Sequence, residues 1–354
     1  MKGIILHGGH GTRLRPLTHT GPKQLLAIAN KPMSQFALED LREAGILDIA
    51  IVIGGIHSEK VKEFYGDGRK FGVKITYIQQ DYPKGISHAI KLCKGFVGKE
   101  KFVVYLGDNV LRAGLTRYTK KFSSSNVAAM ILLCEVNNPS RFGIAEIERK
   151  KIIKITEKPK NPTSNLAVIG VYFLTPKIFD IIDKLKPSWR GELEITDALQ
   201  MMIDKNMNLQ YDTVTGWWKD TGTPEDILHA NHLILDTIGT KDQFVLSEGA
   251  KVQKNIIIGK NSTISRDSFI TGPVIIGEHC TIGPSVRIGP HVSIGNNSIL
   301  KNCDIENSII MDRCKINLKI HIYDSIVAHG SEIIDSSKPK RAQFLLGERS
   351  QVKI

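Results

Sequence analysis

Three glycines and two cations near the start of the chain are its clearest chemical feature. Leu6 runs into His7-Gly8-Gly9-His10-Gly11-Thr12-Arg13, and Lys23 stands ten residues beyond Arg13. Glycines let the backbone approach a phosphate with its N–H groups turned inward, and two cations at this spacing can grip a triphosphate. The run is not a dinucleotide fingerprint, which needs Gly-x-Gly-x-x-Gly and an acid about 20 residues later, nor a P-loop, which needs Gly-Lys-Ser/Thr. Taken alone it reads equally well as a tight turn. The five cysteines, Cys93, Cys134, Cys280, Cys303 and Cys314, never form a Cys-x-x-Cys pair, so neither a disulfide framework nor a zinc site is indicated.

The elements that must carry this loop alternate along residues 1–240. Apolar strands are predicted at Lys2 to Leu6, Ile49 to Ile53, Lys74 to Gln79, Lys101 to Leu106 and Val127 to Val136. Helical patterns lie between them at Ser34 to Ala44, Ser58 to Tyr65 and Ile86 to Phe96. This rhythm predicts an α/β domain with a Rossmann-like, mainly parallel sheet and helices on both faces. Such sheets bind ligands at the carboxyl ends of their strands, which is where the glycine loop begins. A hairpin over Ile144 to Thr156, a strand at Leu166 to Leu174, two helices and a closing helix at Thr223 to Thr237 complete the domain.

The texture changes after Gly239. Val252, Ile258, Ile264, Ile270, Ile276, Ile282, Ile288, Ile294 and Leu300 recur every six residues, with glycine directly after the aliphatic at 259, 277, 283, 289 and 295. A period of six suits neither a helix face nor a hairpin. It predicts a left-handed parallel β-helix over 245–354, three hexads to a coil, in which each buried aliphatic contributes about 1.5–3 kcal/mol. The frame slips after Leu300 and resumes at Ile310, Ile316 and Ile322, predicting a bulge or loop between coils.

Composition narrows the partners. A chain of 354 residues exceeds the usual size of one core, so two domains are expected. The net charge of +12 comes from lysines spread without a compact basic block, which favours anionic small substrates over nucleic acid. No apolar run approaches the roughly 20 residues of a membrane span, and the N-terminal run is too short for a signal peptide. A location in the cytoplasm is expected, with no membrane partner.

Gly-Gly-x-Gly-Thr-Arg-Leu-x-Pro-x-Thr followed by Pro-Lys-Gln resembles the opening of the nucleotidylyltransferases that activate hexose 1-phosphates. Further matches follow in order: Gln80 and Gly85, Gly107-Asp108-Asn109, Arg141-Phe142-Gly143, Glu157-Lys158-Pro159, Arg190-Gly191-Glu192 and Trp218-Lys219-Asp220-Thr221-Gly222-Thr223. With the repeat-rich tail, the whole chain is similar to the long form of the glucose-1-phosphate thymidylyltransferases. His7 departs from the small residue usual in that family, and Phe142 stands where many members have tyrosine.

The resemblance implies a Mg²⁺-dependent transfer of dTMP from dTTP to glucose 1-phosphate, releasing pyrophosphate. Arg13 and Lys23 become catalytic cations on the phosphates, and Asp108 and Asp220 become the metal carboxylates, a donor set that suits a hard cation. Leu6, Gly8, Gly9, Gly11, Thr12, Gln80, Gly85 and Asp108 are expected around the nucleotide. Gly143, Glu157, Lys158, Arg190 and Trp218 are expected around the sugar phosphate. A phosphate monoester brings its own nucleophilic oxygen, so no Ser-His-Asp or Cys-His arrangement is required. The Gln80 amide can read the edge of thymine that uracil shares, so dUTP or UTP is an expected alternative donor. Other readings are a UTP-using pyrophosphorylase, a bifunctional enzyme whose tail transfers acetyl through His279, His291, His321 or His329, and a non-catalytic scaffold. The intact Arg13, Lys23, Asp108 and Asp220 argue against the last. β-Helices expose flat faces that pack on copies of themselves, so a homo-oligomer is expected.

Overall fold

The structure, a computed structural model, describes every residue except 10, 56, 240–244, 247–250, 254, 335–344, 347–350 and 354. Much of the last expected coil therefore lies outside the described residues. Contacts divide the chain into two units, Met1–His10 with Ser34–Asp220 and Gly11–Met33 with Thr221–Ile354.

The first unit is built on a nine-stranded sheet. Its strands, with those of a small side ribbon, are β1 (Lys2–Leu6), β2 (Asp48–Ile53), β3 (Lys74–Gln79), β4 (Phe102–Leu106), β5 (Asn109–Leu111), β6 (Ala129–Glu135), β7 (Gly143–Glu148), β8 (Lys151–Glu157), β9 (Leu166–Leu174), β10 (Leu209–Thr213) and β11 (Trp218–Asp220). The helices are α1 (Met33–Glu43), α2 (Glu59–Tyr65), α3 (Ile86–Leu92), α4 (Lys94–Val97), α5 (Thr116–Ser124), α6 (Lys177–Ile182) and α7 (Ile195–Asp204).

Strands β4, β1, β2 and β3 lie side by side and parallel, the part of the sheet that the alternating pattern describes. Their near-continuous apolar sequences suit burial on both faces. Ile4, Ala50, Val52 and Val104 face a cluster with Ala89, Ile90, Ala198 and Leu199, while Ile5, Ile49, Ile51 and Val103 are buried on the other side. Strand β9 then runs antiparallel to β4, β6 and β7, and β7 and β8 form the expected hairpin, so the sheet as a whole is mixed. The helix expected over 86–96 is two pieces, interrupted at Cys93 where ψ is 1°.

The second unit holds the repeats. Thr263 pairs in parallel with Thr281, and Thr281 with Ile299, so successive coils are offset by 18 residues, three hexads. After Leu300 the coils shorten: Ser293 pairs with Ile309 and Ile299 with Lys315, offsets of 16, and the register shifts between Lys301 and Cys303. The slip in the sequence frame is thus a shorter coil. Ile258, Ile264, Ile270, Ile276, Ile282, Ile288, Ile294 and Leu300 stack in one buried core. A second regularity accompanies them: Asn255, Asn261, Asp267, His279, Ser285, His291 and Asn297 turn corners with φ between 55° and 61°. Asn, Asp and His tolerate this left-handed region best among residues with a side chain.

Helix α8 (Pro224–Leu235) and the segment 11–33 belong to this same unit. Thr223 caps α8 by accepting from the Asp226 N–H, and Pro224 occupies its first turn. The buried Asn231 amide oxygen accepts from the Ala29 N–H at 2.9 Å and from the Ser293 hydroxyl at 3.0 Å, and Asn30 donates to the Ile294 carbonyl at 2.6 Å. These bonds, linking residues far apart in sequence, explain why contacts do not divide the chain at residue 240.

Candidate active site

Parallel pairing places the carboxyl ends of β1, β2, β3 and β4 along one rim, and the ladder continues one residue beyond β1, β3 and β4. His7 donates to Val52 O at 2.9 Å, Gly107 to Leu6 O at 2.9 Å and Gln80 to Ile53 O at 2.8 Å. Leu6, Gly8, Gln80 and Asp108 are therefore gathered by backbone pairing. A Cβ on Gly8 would lie 3.4 Å from the Gln80 Oε1, so the missing side chain leaves the amide uncovered. Gly9, at φ +97°, then turns the chain away.

Gln80 is buried, and its Nε2 donates to His88 Nδ1 on α3 at 2.9 Å. That bond sets which way the amide faces, leaving Oε1 as an acceptor and one N–H as a donor. Burial, then Lys84 and Lys91, lower the His88 pKa, which favours the neutral ring this bond requires. Gly85 acts by close packing: at φ +95°, a Cβ would meet the Leu193 carbonyl oxygen at 2.5 Å. Leu193 donates to Lys84 O at 2.8 Å and accepts from Ser87 N at 3.1 Å, so the 80–88 segment is stitched to the start of α7.

A pairing distant in sequence brings the two aspartates to one corner. β11 runs antiparallel to β5 with Asp220 opposite Asn109, which sets Asp220 beside the residue that follows Asp108. Asn109 is the hub of this corner. Its Nδ2 donates to Asp108 Oδ1 at 3.1 Å, while its Oδ1 accepts from Trp218 Nε1 at 2.7 Å and from Gly170 N at 3.2 Å. The indole N–H of Trp218 is thus engaged within the protein, and its ring meets Phe142 edge-on with centroids 5.3 Å apart.

Glu157 ends β8 opposite Gly143. A Cβ on Gly143 would meet Thr196 Cγ2 at 2.5 Å, and Thr196 donates to Glu157 Oε2 at 3.1 Å. Burial, then Glu194, raise the Glu157 pKa, while Lys158, Thr196 and Arg190 oppose the rise. Lys158, at φ +40°, follows with its Nζ 3.7 Å from Glu157. Arg190 is shared among Glu192 at 3.1 Å, Glu194 at 3.3 Å and Glu157 at 3.5 Å, so its charge is already surrounded by carboxylates.

Two further residues join these groups: Tyr172, which motif reading missed, and His7, which the sequence marked only as a departure from the family pattern. Tyr172 is buried on β9, and its hydroxyl pKa is raised by burial and then by the charges of Glu157, Asp108, Asp220 and Glu194, all close enough to act on it. His7 is buried at the end of β1, with neither ring nitrogen hydrogen-bonded among the described residues, and its pKa is lowered to about 3 by burial, against the pull of Asp108. Nothing in the local sequence marks Tyr172, and the departure at His7 does not by itself say what the ring does, because the significance of both comes from strands brought together across the sheet.

Gly11, Thr12, Arg13 and Lys23 lie in the second unit. Gly11 has φ +60° and packs against its own loop, its absent Cβ 2.9 Å from Thr18 Cγ2 and 3.3 Å from Lys23 Cβ. Thr18 donates to Gly11 O at 2.8 Å, and Thr12–Leu14 forms one turn of 3₁₀ helix with Arg13 exposed and Leu14 buried. The loop thus closes on itself and brings the Lys23 stem close to Gly11.

A family model described as nucleotidyl transferase matches residues 2–237. The chain belongs to the nucleotidyl transferase family. A second model, the GMPPB C-terminal domain, matches residues 270–353. Among the relatives, the low-salt glycan biosynthesis nucleotidyltransferase Agl11 of Haloferax volcanii is 47% identical, over all of both chains. A glucose-1-phosphate thymidylyltransferase of Streptomyces antibioticus is 39% identical, covering 100% of this chain and 99% of the relative. A candidate glucose-1-phosphate thymidylyltransferase of Bacillus anthracis, crystallised in complex with a sucrose, is 44% identical with a TM-score of 0.64, over 68% of this chain and 98% of its own. As a sugar-1-phosphate nucleotidyltransferase, the protein has its strand-end rim where this chemistry is expected.

Proposed function

We propose that the protein is a glucose-1-phosphate thymidylyltransferase. The observation that carries this reading is the corner made by β5 and β11, where Asp220 pairs opposite Asn109, the neighbour of Asp108, and where both aspartates, with Glu157, raise the Tyr172 pKa. An oxygen of glucose 1-phosphate attacks the α-phosphorus of dTTP, and a new P–O bond forms as the α–β bridge breaks. The bond pair leaves with pyrophosphate.

Asp108 and Asp220 as a donor set fit Mg²⁺, which takes one or two carboxylates and keeps phosphate and water for the remainder. The ion would supply positive charge to the crowded phosphates. Arg13 and Lys23 carry fixed charge for the departing pyrophosphate and the nucleotide phosphates, a kind of contact worth about 3–4 kcal/mol of barrier. Gln80, oriented by His88, accepts from the thymine N3–H and donates to a neighbouring carbonyl. Uracil offers the same edge, so dUTP and UTP are expected to be used as well.

Glu157 accepts from sugar hydroxyls beside the Gly143 backbone, and Lys158 holds the sugar phosphate. Arg190, ringed by carboxylates, orients Glu157. The match to a thymidylyltransferase over 100% of this chain and 99% of the relative supports the choice of sugar and base.

The test is pyrophosphate release with Mg²⁺, glucose 1-phosphate and each nucleoside triphosphate in turn, repeated with glucosamine 1-phosphate and acetyl-CoA. The reading expects fastest turnover with dTTP and glucose 1-phosphate. Release that favours another pair would replace this substrate assignment, and free thiol from acetyl-CoA would assign a second activity to the β-helix.

A further inference from the structure

A second group of ligand-type side chains lies within the β-helix unit and belongs to none of the transfer motifs. His232 and Asp236 stand one turn apart at the end of α8, and His291 turns a β-helix corner. His291 Nε2 is 2.8 Å from Asp236 Oδ1, and His232 Nε2 is 3.2 Å from Asp236 Oδ2. The three donor atoms lie within 4.8 Å of one another. The other β-helix histidines weighed for acetyl transfer pair more loosely, His321 with Glu306 and His329 with Asp312, each at 3.6 Å.

We infer that His232, Asp236 and His291 form a binding site for a divalent transition ion of the zinc class, which clips α8 to the β-helix. Two imidazole nitrogens and one carboxylate oxygen are a donor set for such an ion and not for Mg²⁺, which prefers oxygen ligands. Tetrahedral zinc, with bonds of about 2.0–2.1 Å, holds its ligands about 3.3 Å apart. The spacings to the Asp236 carboxylate, 3.2 Å from His232 to Oδ2 and 2.8 Å from His291 to Oδ1, are within about 0.5 Å of that value. Both imidazoles bring Nε2 to one carboxylate, His291 in hydrogen-bond contact and His232 at 3.2 Å, so an ion entering there takes up a place between groups already gathered.

The site is held in place before any ion arrives. Asn231, one residue before His232, is buried in the network with Ala29 and Ser293, and its Nδ2 donates to the His291 carbonyl at 3.5 Å. The left-handed corner at His291 fixes the direction of its Cα–Cβ bond. The two rings now stack, with centroids 3.4 Å apart and planes 13° from parallel. Coordination requires each ring to turn about Cβ–Cγ, a soft torsion for histidine. Partial exposure of Asp236 and His232 gives the ion an entry path, and water fills the fourth position.

The experiment uses the tag-free full chain, stripped with chelator, loaded with Zn²⁺ in the presence of excess Mg²⁺ and passed through gel filtration. One zinc per chain is expected by elemental analysis, with a rise in melting midpoint, and Co²⁺ should give the visible absorption of a four-coordinate site. His232→Gln and His291→Gln, which keep a hydrogen-bonding side chain, should each weaken Zn²⁺ binding at least about tenfold. His321→Gln and Cys134→Ala should bind as wild type does. Wild type that retains no zinc, or zinc that persists at full stoichiometry in both glutamine variants, would overturn the assignment. Should a variant fail to fold, histidine modification of wild type decides the question: bound Zn²⁺ should shield His232 and His291 from diethyl pyrocarbonate, and equal modification with and without zinc would overturn the assignment.

Discussion

Replacing Asn109 with alanine should disable the metal corner without touching a proposed metal ligand. The side chain serves three partners, donating to Asp108 and accepting from Trp218 and Gly170. Its loss leaves the buried Gly170 N–H and the half-buried indole N–H without their acceptor, at about 1–3 kcal/mol each, toward the lower end for the indole because water can reach it. The sum is about 2–4 kcal/mol, a fall of about 5–15 °C in melting midpoint for a unit of this size. Asp108 also loses a bond that orients it, and misplacement of about 1 Å costs roughly 10²-fold in rate. Trp218→Phe removes one bond and keeps the packing on Phe142, so about 1 kcal/mol is expected. Because the two residues share that bond, the double variant should cost about 1 kcal/mol less than the sum of the singles. Thermal melts and steady-state pyrophosphate release over a Mg²⁺ titration measure all three. An Asn109→Ala protein with unchanged melting and rate, or a strictly additive cycle, would refute the hub.

Three further outcomes are expected. Gly85→Ala forces a side chain into φ +95° and against the Leu193 carbonyl, so it should cost about 1–3 kcal/mol of stability and raise the KM for nucleotide more than it lowers kcat, read by melts and kinetics. His7, with its pKa lowered to about 3, stays neutral in the folded chain while the unfolded chain takes up its proton below about 6.5, so stability is full above 6.5 and falls as the pH drops toward 3. Between pH 7 and pH 5 this amounts to about 2 kcal/mol, and His7→Leu should lose that part of the pH dependence in denaturant melts. The raised pKa of Glu157 means its carboxylate is protonated at higher pH than an ordinary glutamate, so the KM for sugar phosphate should begin to rise earlier on acidification, and Glu157→Gln should remove that step from the KM–pH profile.

Local signals carried much of the fold. Strands β1, β3 and β9 fall at the predicted residues because each is a short apolar run between clear turn formers. The six-residue interval anticipated coils of 18 residues, since each aliphatic must face one core. What could not be read was pairing at long range. Nothing near Asp220 announces that β11 will lie against β5, and without that pairing Asn109 reads as a neighbour of Asp108, not as the hub between Trp218 and Gly170. His88 was hidden for a similar reason. It sits on a helix turn where a solvated face is the ordinary reading, and only the fold brings Gln80 to it. Arg190 shows the opposite case: its sequence context resembles a phosphate contact, yet three carboxylates converge on it.

Transfer of a nucleotidyl group between phosphates carries the α-phosphorus from the triphosphate to the sugar, so its fate can be followed. With dTTP labelled at the α-phosphate, Mg²⁺ and glucose 1-phosphate, the label should pass into a nucleotide sugar in step with unlabelled pyrophosphate, and Asp108→Asn should slow both together. Label appearing as free dTMP, or remaining in the triphosphate whatever sugar phosphate is supplied, would contradict the account.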